Sequence, residues 1–230
     1  MDIVLKPKRV TRIFAFTVIY LTLAHIIGQS VAFYLGFKSR FKPVVSWLDL
    51  DAEQSIPTFY SSATLLFCSL LFAIVTIAKK KSGEQYVYWL GLALIFLFLS
   101  VDEALMVHEL LIDKVRSTMR TSGIFYFAWV IPYSIALIIF LLVYVKFLYN
   151  LPSKTRILFI ISGLIYVTGA IGIELIGGRY SELHGYNVTY FVITTIEELL
   201  EMTGIVILIY TLMSYIDSEF KDLRLSIKSS

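Results

Sequence analysis

Acids and imidazoles gather in a few short stretches of a very apolar chain. "SVDEALMVHELL" (residues 100–111) places Asp102, Glu103, His108 and Glu109 within eight positions, directly after "GLALIFLFL". "TTIEELLEM" (194–202) adds Glu197, Glu198 and Glu201, and "IGIELIGG" (171–178) holds Glu174 among apolar neighbours. "TLAHIIGQ" (22–29) contributes Thr22, His25 and Gln29 on one helical face. Carboxylates with a few imidazoles suit Fe, Mn or Zn, whereas oxygen alone suits Mg or Ca. Several carboxylates at one site also repel each other unless a proton or a cation lies between them. The expected site therefore binds a divalent metal (Fe, Mn or Zn). Asp102, His108, Glu109, Glu174, Glu198 and Glu201 are the expected ligands, Glu103 and Glu197 the general bases, and His25, Gln29 and Thr194 the supporting groups.

Helical spacing assembles these residues. At 100° per residue Asp102 and Glu109, seven apart, are nearly eclipsed. Thr194, Glu197, Glu201 and Gly204 form one stripe with Glu198 on its shoulder. Glu174 shares a stripe with Gly163, Ala170 and Gly177, and small residues mark close helix approach in membranes. Plainer readings exist for single residues. Acids at helix ends can be interfacial, His25 can be a core histidine bonded to a neighbouring helix, and His184 can be ordinary loop chemistry. "NVT" at 187–189 fits a glycosylation acceptor but is a short motif. Glu174 and Glu201 resist such readings because apolar residues flank them on both sides.

The elements that must position these groups are membrane helices. The chain has 230 residues, 58% hydrophobic and 16% charged, with mean hydropathy +0.79, where soluble domains are about half apolar and a quarter charged. Six stretches reach the roughly 20 apolar residues a span needs, at about 12–36, 57–78, 85–105, 124–149, 156–177 and 190–216. Little remains between them, so residues 1–230 read as a single transmembrane domain. The fold class expected is an all-α polytopic bundle of six transmembrane helices, integral to a cell membrane. The first stretch reads as a retained span rather than a signal peptide. Thirteen of the twenty basic residues fall on one side, at 6–12, 79–81, 146–156 and 221–228, which puts both termini in the cytoplasm. By the same count twelve of the seventeen acids are outside or in the outer half, including Asp49, Asp51 and Glu53 before Pro57. The lone Cys68 excludes an internal disulfide and Cys-rich metal motifs. The basic residues follow the membrane rather than forming a patch, so nucleic acid is not a partner.

Charged groups in a bilayer are costly, about 2.5–3.5 kcal/mol each at its centre on insertion scales. Acids drawn from the third, fifth and sixth spans to one depth therefore point to use. The leading reading is a membrane-embedded metal-dependent hydrolase or oxidase acting on a lipid or other amphiphile, with membrane lipid as its surroundings. The alternatives are a proton- or cation-coupled transporter, and a non-catalytic membrane subunit or assembly factor whose acidic face meets a partner. The transporter lacks acids beside an interrupted midplane helix, and the subunit gives no reason for burying Glu174 and Glu201. Glu198 and Glu201 make Glu-x-x-Glu, but the Glu-x-x-His pair of four-helix di-metal proteins is missing.

Overall fold

A computed structural model describes residues 6–35, 42–52 and 54–220. Among them every regular element is helical: α1 (Pro7–Leu35), α2 (Lys42–Trp47), α3 (Ile56–Lys81), α4 (Val87–Leu105), α5 (Leu110–Met119), α6 (Val130–Tyr149), α7 (Ser153–Val167), a π-helical turn (Thr168–Ile173), α8 (Glu174–His184) and α9 (Val188–Glu219). A 3₁₀ turn at Gly123–Phe125 precedes α6. Six helices are long and apolar enough to cross a membrane, with α7, the π turn and α8 counting as one continuous 32-residue rod.

Local signals explain the ends. Ser55 caps α3 by accepting the Thr58 N–H, with Pro57 in the first turn, and Lys79, Lys80 and Lys81 lie at its C-terminus, where the helix dipole favours cations. Asn187 caps α9 by accepting the Thr189 and Tyr190 N–H groups. The fourth expected span starts late: residues 124–129 form the 3₁₀ turn and a bend, and α6 begins only at Val130.

α9 is the central helix, packed against α1, α3 and α7, while α3 and α4 pair as a hairpin. The apolar core lies toward the end that carries Lys79–Lys81. There Cys68, Phe72, Val75, Ile209 and Leu212 have no exposed surface, and Trp89, Tyr144 and Phe147 pack edge to face in the same core. Outward faces remain apolar: Phe16, Leu94, Ile138, Leu142 and Leu164 are all more than half exposed.

The opposite end is acidic and unequal in height. At 1.5 Å per residue, α9 runs about 20 Å from its start to Glu201, and α8 about 15 Å from Glu174 to its end. α4 stops three residues after Asp102. α8 and α9 therefore extend past the end of α4, and the 3₁₀ turn at Gly123–Phe125 packs against α8.

Candidate functional site

Construction of the site begins where α4 ends. Met106 adopts a left-handed conformation (φ 55°) and its N–H returns to the Asp102 carbonyl. Asp102, 5% exposed, then holds the returning chain with its side chain. One oxygen accepts the His108 backbone N–H at 2.7 Å and lies 3.3 Å from His108 Nδ1. The other accepts the Tyr133 hydroxyl at 2.8 Å. This break corrects the expected eclipse of Asp102 and Glu109. The helix does not continue, and Glu109 is an exposed residue at the start of α5. His108 is carried inward instead, its ring 4.9 Å from that of Trp129.

Trp129 links this turn to α8. Its indole N–H donates to Glu174 Oε1 at 2.8 Å. The Glu174 carboxyl in turn meets that of Glu197 on α9 within hydrogen-bond reach. Oε2 of Glu197 is buried and has no hydrogen-bond partner, and the residue is only 9% exposed. Acids surround it, with Glu174, Glu201 and Glu198 all in electrostatic range. Glu201 faces Glu103 and Glu174 in the same way. Among the described residues no Lys or Arg forms an ion pair with Glu174, Glu197 or Glu201; the basic partners found are at Lys79–Glu84 and Arg179–Glu182.

The π turn reconciles two faces of one rod. Tyr166 and Glu174 are eight residues apart, which in an unbroken α-helix separates them by about 80°. An i→i+5 turn absorbs about one extra residue, so the pair behaves as though seven apart and both face α9. Tyr166 thereby comes within electrostatic range of Glu201, Glu103, Asp102 and Glu198. The same turn corrects the expected stripe on span five. Gly163 is exposed, with open space where a Cβ would stand, while Gly169 is buried against α9. A Cβ on Gly169 would lie 2.7 Å from the Glu197 carbonyl oxygen and 2.9 Å from Glu201 Cγ. Of the expected stripe on α9, Thr194, Glu197 and Gly204 are buried and Glu201 is half-buried. Gly204 packs onto the backbone of Ser162 and Tyr166.

Beside the acids lies a narrow, partly enclosed cavity with room for about one water. Glu103, Glu201, Tyr166, Ser61 and Thr64 give it a polar lining, and Met202 is among its apolar walls.

The expected supporting residues belong to a different network. His25, 1% exposed, accepts the Leu50 N–H at Nδ1 (3.0 Å) and meets Thr195 Oγ1 at Nε2 (3.1 Å). Its ring stacks on Phe191. Gln29 donates to Asp49 at 2.5 Å, and Thr194 donates to the Phe191 carbonyl. His25 and Gln29 therefore fasten residues 48–52 onto α1 and α9 and do not contact the carboxyl pair. His184 stacks on Tyr180 away from the acids. Glu53 lies outside the described residues. Trp129, Tyr133 and Tyr166 were not legible as site residues, because nothing in the sequence separates them from the interfacial aromatics expected of any membrane protein.

Asp102, Glu103, His108, Glu174, Glu197, Glu198 and Glu201 thus come together from α4, the following turn, α8 and α9. They meet in pairs: among the described residues no three His, Cys, Asp or Glu side chains are placed to hold one metal ion. Two carboxylates in contact repel by about 4 kcal/mol at an effective dielectric of 20. A hydrogen bond to a charged group, such as that from Trp129, is worth about 1.5–3 kcal/mol. The indole alone does not offset that repulsion, which a shared proton or an added cation would relieve. No curated protein and no solved structure matches the chain. The model of the family described as Domain of unknown function (DUF8692) matches residues 13–216, a range that includes every acid of this cluster, and the chain belongs to that family.

Proposed function

We propose that the chain is a multi-pass membrane protein, with both termini cytoplasmic, that acts as a metal-dependent enzyme on a lipid or other amphiphile. Apolar side chains exposed on the outward faces of the long helices support the membrane setting, because surfaces of this kind are stable only against an apolar environment. The observation that carries the site is the buried Glu197 carboxyl, which lies within hydrogen-bond reach of the Glu174 carboxyl and has one oxygen, Oε2, without a donor. Glu174 and Glu197, with His108, Asp102 and Glu201 in the same cluster, would hold a divalent Fe, Mn or Zn ion there. The metal supplies a Lewis acid and a water that ionises near neutral pH. A carboxylate of the same cluster, Glu103 or Glu197, would accept the proton that this water gives up. The overhang of α8 and α9 sets this chemistry near a boundary that both water and lipid headgroups reach.

Elemental analysis of the purified protein beside an E174Q, E201Q double variant tests the reading. Stoichiometric Fe, Mn or Zn in the parent and none in the variant is the expected result. A second reading, a proton- or cation-coupled carrier, is favoured by the direct Glu174–Glu197 contact, which one shared proton also satisfies. Metal-free parent protein that takes up protons on acidification, with uptake lost in the double variant, selects the carrier.

A further inference from the structure

We propose that α5 and the turn after it bind the phosphate of an anionic phospholipid in the leaflet beside the acidic end. Residues 106–129 join α4 to α6, and both of these helices are long and apolar enough to cross a membrane. A segment tied to two spans in this way is held at the membrane boundary. Within it, α5 has two unlike faces. At 100° per residue Leu111, Ile112, Val115 and Met119 fall within one arc of about 100°, and Lys114, Arg116 and Arg120 lie outside it. No residue of α5 is buried, and Met119 is 59% exposed. A helix that is apolar on one side and basic on the other lies in the plane of the interface, its apolar side among the acyl chains.

Charge and unmet hydrogen bonds select the headgroup. Residues 110–126 hold three basic residues and one acid, Asp113, hence a net charge of +2 at an end otherwise rich in carboxylates. Lys114 and Arg120 are exposed. Arg116 turns inward: its guanidinium lies 4.3 Å from the centre of the Tyr126 ring and donates from Nη2 to the Tyr126 carbonyl. The left-handed Arg120 (φ 52°) reverses the chain after α5 and lets this loop close. Two polar atoms of the closed loop, Arg116 Nε and Thr121 Oγ1, are shielded from solvent and have no hydrogen-bond partner. Stranded donors of this kind are costly and point to an acceptor from outside the chain. Phosphate offers several acceptor oxygens and pairs well with a guanidinium. Glu182, the acid that faces this turn, is engaged by the Gly123 N–H at 2.8 Å and by Arg179 at 3.6 Å. The apolar face and the stranded donors together call for a molecule that is both greasy and anionic, which a free phosphate ion is not. The inference rests on the membrane setting of the proposed function and on neither its metal nor its substrate.

Fluorescence quenching in reconstituted vesicles tests it. Cys68 has no exposed surface, so a fluorophore can be attached to M119C, on the apolar face, or to S117C, on the opposite one. Phosphatidylcholine vesicles carry a small share of nitroxide-labelled phosphatidylglycerol or of nitroxide-labelled phosphatidylcholine. The probe on M119C is expected to be quenched at least about twofold more than that on S117C. The relative affinity for phosphatidylglycerol over phosphatidylcholine, read from the two quenching curves, is expected to be about tenfold or more in the parent. It falls to near unity in the exposed K114Q, R120Q pair, and by about threefold or more in R116Q and in T121V. Thermal unfolding near the parent temperature shows that these losses are local, and T121V and the exposed pair decide the matter where R116Q does not fold. Equal quenching at M119C and S117C overturns the proposal, as does equal affinity of the parent for the two lipids. A preference left unchanged by T121V and by the exposed pair overturns it too. Quenching at M119C that varies with the protein-to-lipid ratio assigns the face to a second copy, with the same consequence. Flotation separates this result from the membrane reading: protein that does not float with the vesicles fails that reading, whereas floated protein without a lipid preference fails this inference alone.

Discussion

Asp102 shows how much one buried carboxylate does in this bundle. It receives two direct donors, the His108 N–H and the Tyr133 hydroxyl, and both lose their acceptor if the side chain is cut back. Stranding buried donors costs about 1–3 kcal/mol each, whereas loss of a single hydrogen bond to a charged acceptor costs about 1.5–3 kcal/mol and strands nothing when the donor itself is removed. D102A is therefore expected to destabilise the protein by about 3 kcal/mol or more, and Y133F by about half as much. Denaturant unfolding in mixed micelles measures both, and equal losses would show that Asp102 does not organise the turn after α4. The acids themselves were readable at this scale, since hydropathy makes any carboxylate inside a span conspicuous. Their aromatic partners were not. Trp129 reaches Glu174 through a single indole N–H across 45 positions of sequence, and no spacing rule connects the two. His25 had a plainer reading available, a core histidine bonded across helices, and the contacts with Leu50 and Thr195 agree with it.

At the scale of elements, hydropathy located six long helices to within a few residues at most ends, and helical periodicity placed Glu197, Glu201 and Gly204 on one face of α9. Two backbone events escaped it. The left-handed residue that ends α4 is Met106, where such positions usually announce themselves with Gly or Asn. The π turn leaves no mark in a pattern read at 100° per residue, so the glycine assigned to the packed face was Gly163 rather than Gly169. The two glycines now give opposite expectations. G169A must push α7–α8 away from α9, because its Cβ would meet the Glu197 carbonyl, Glu201 Cγ and Leu200 Cβ at 2.7–3.1 Å. Overpacking of this kind costs about 1–3 kcal/mol. G163A meets nothing within 4 Å and replaces a poor helix former with the best, a gain of up to about 1 kcal/mol. Thermal unfolding of the two variants compares them directly. A G169A protein as stable as the parent would mean that α8 and α9 are farther apart than described, and Glu174 would then lose its contact with Glu197.

For the molecule as a whole, charge is distributed along the bundle axis. Lys79, Lys80, Lys81, Lys146, Lys154 and Arg156 lie at one end, by the α3–α4 and α6–α7 connections, and the carboxylate cluster lies toward the other. In the proposed topology the basic end is cytoplasmic, following the positive-inside rule, and the acidic overhang would then face outward. Cysteine labelling can test this cleanly, because the native Cys68 has no exposed surface. Ser82, just beyond α3, and Ser117, on α5, are both exposed and sit at opposite ends of the bundle. An impermeant maleimide added to intact cells is expected to label S117C and spare S82C, and to label both once the membrane is opened. The reverse pattern would invert the protein and place the acids at the cytoplasmic face. Labelling of both sites in intact cells would remove the membrane barrier between the two ends, and with it the reason for expecting a lipid or amphiphile at the carboxylate cluster.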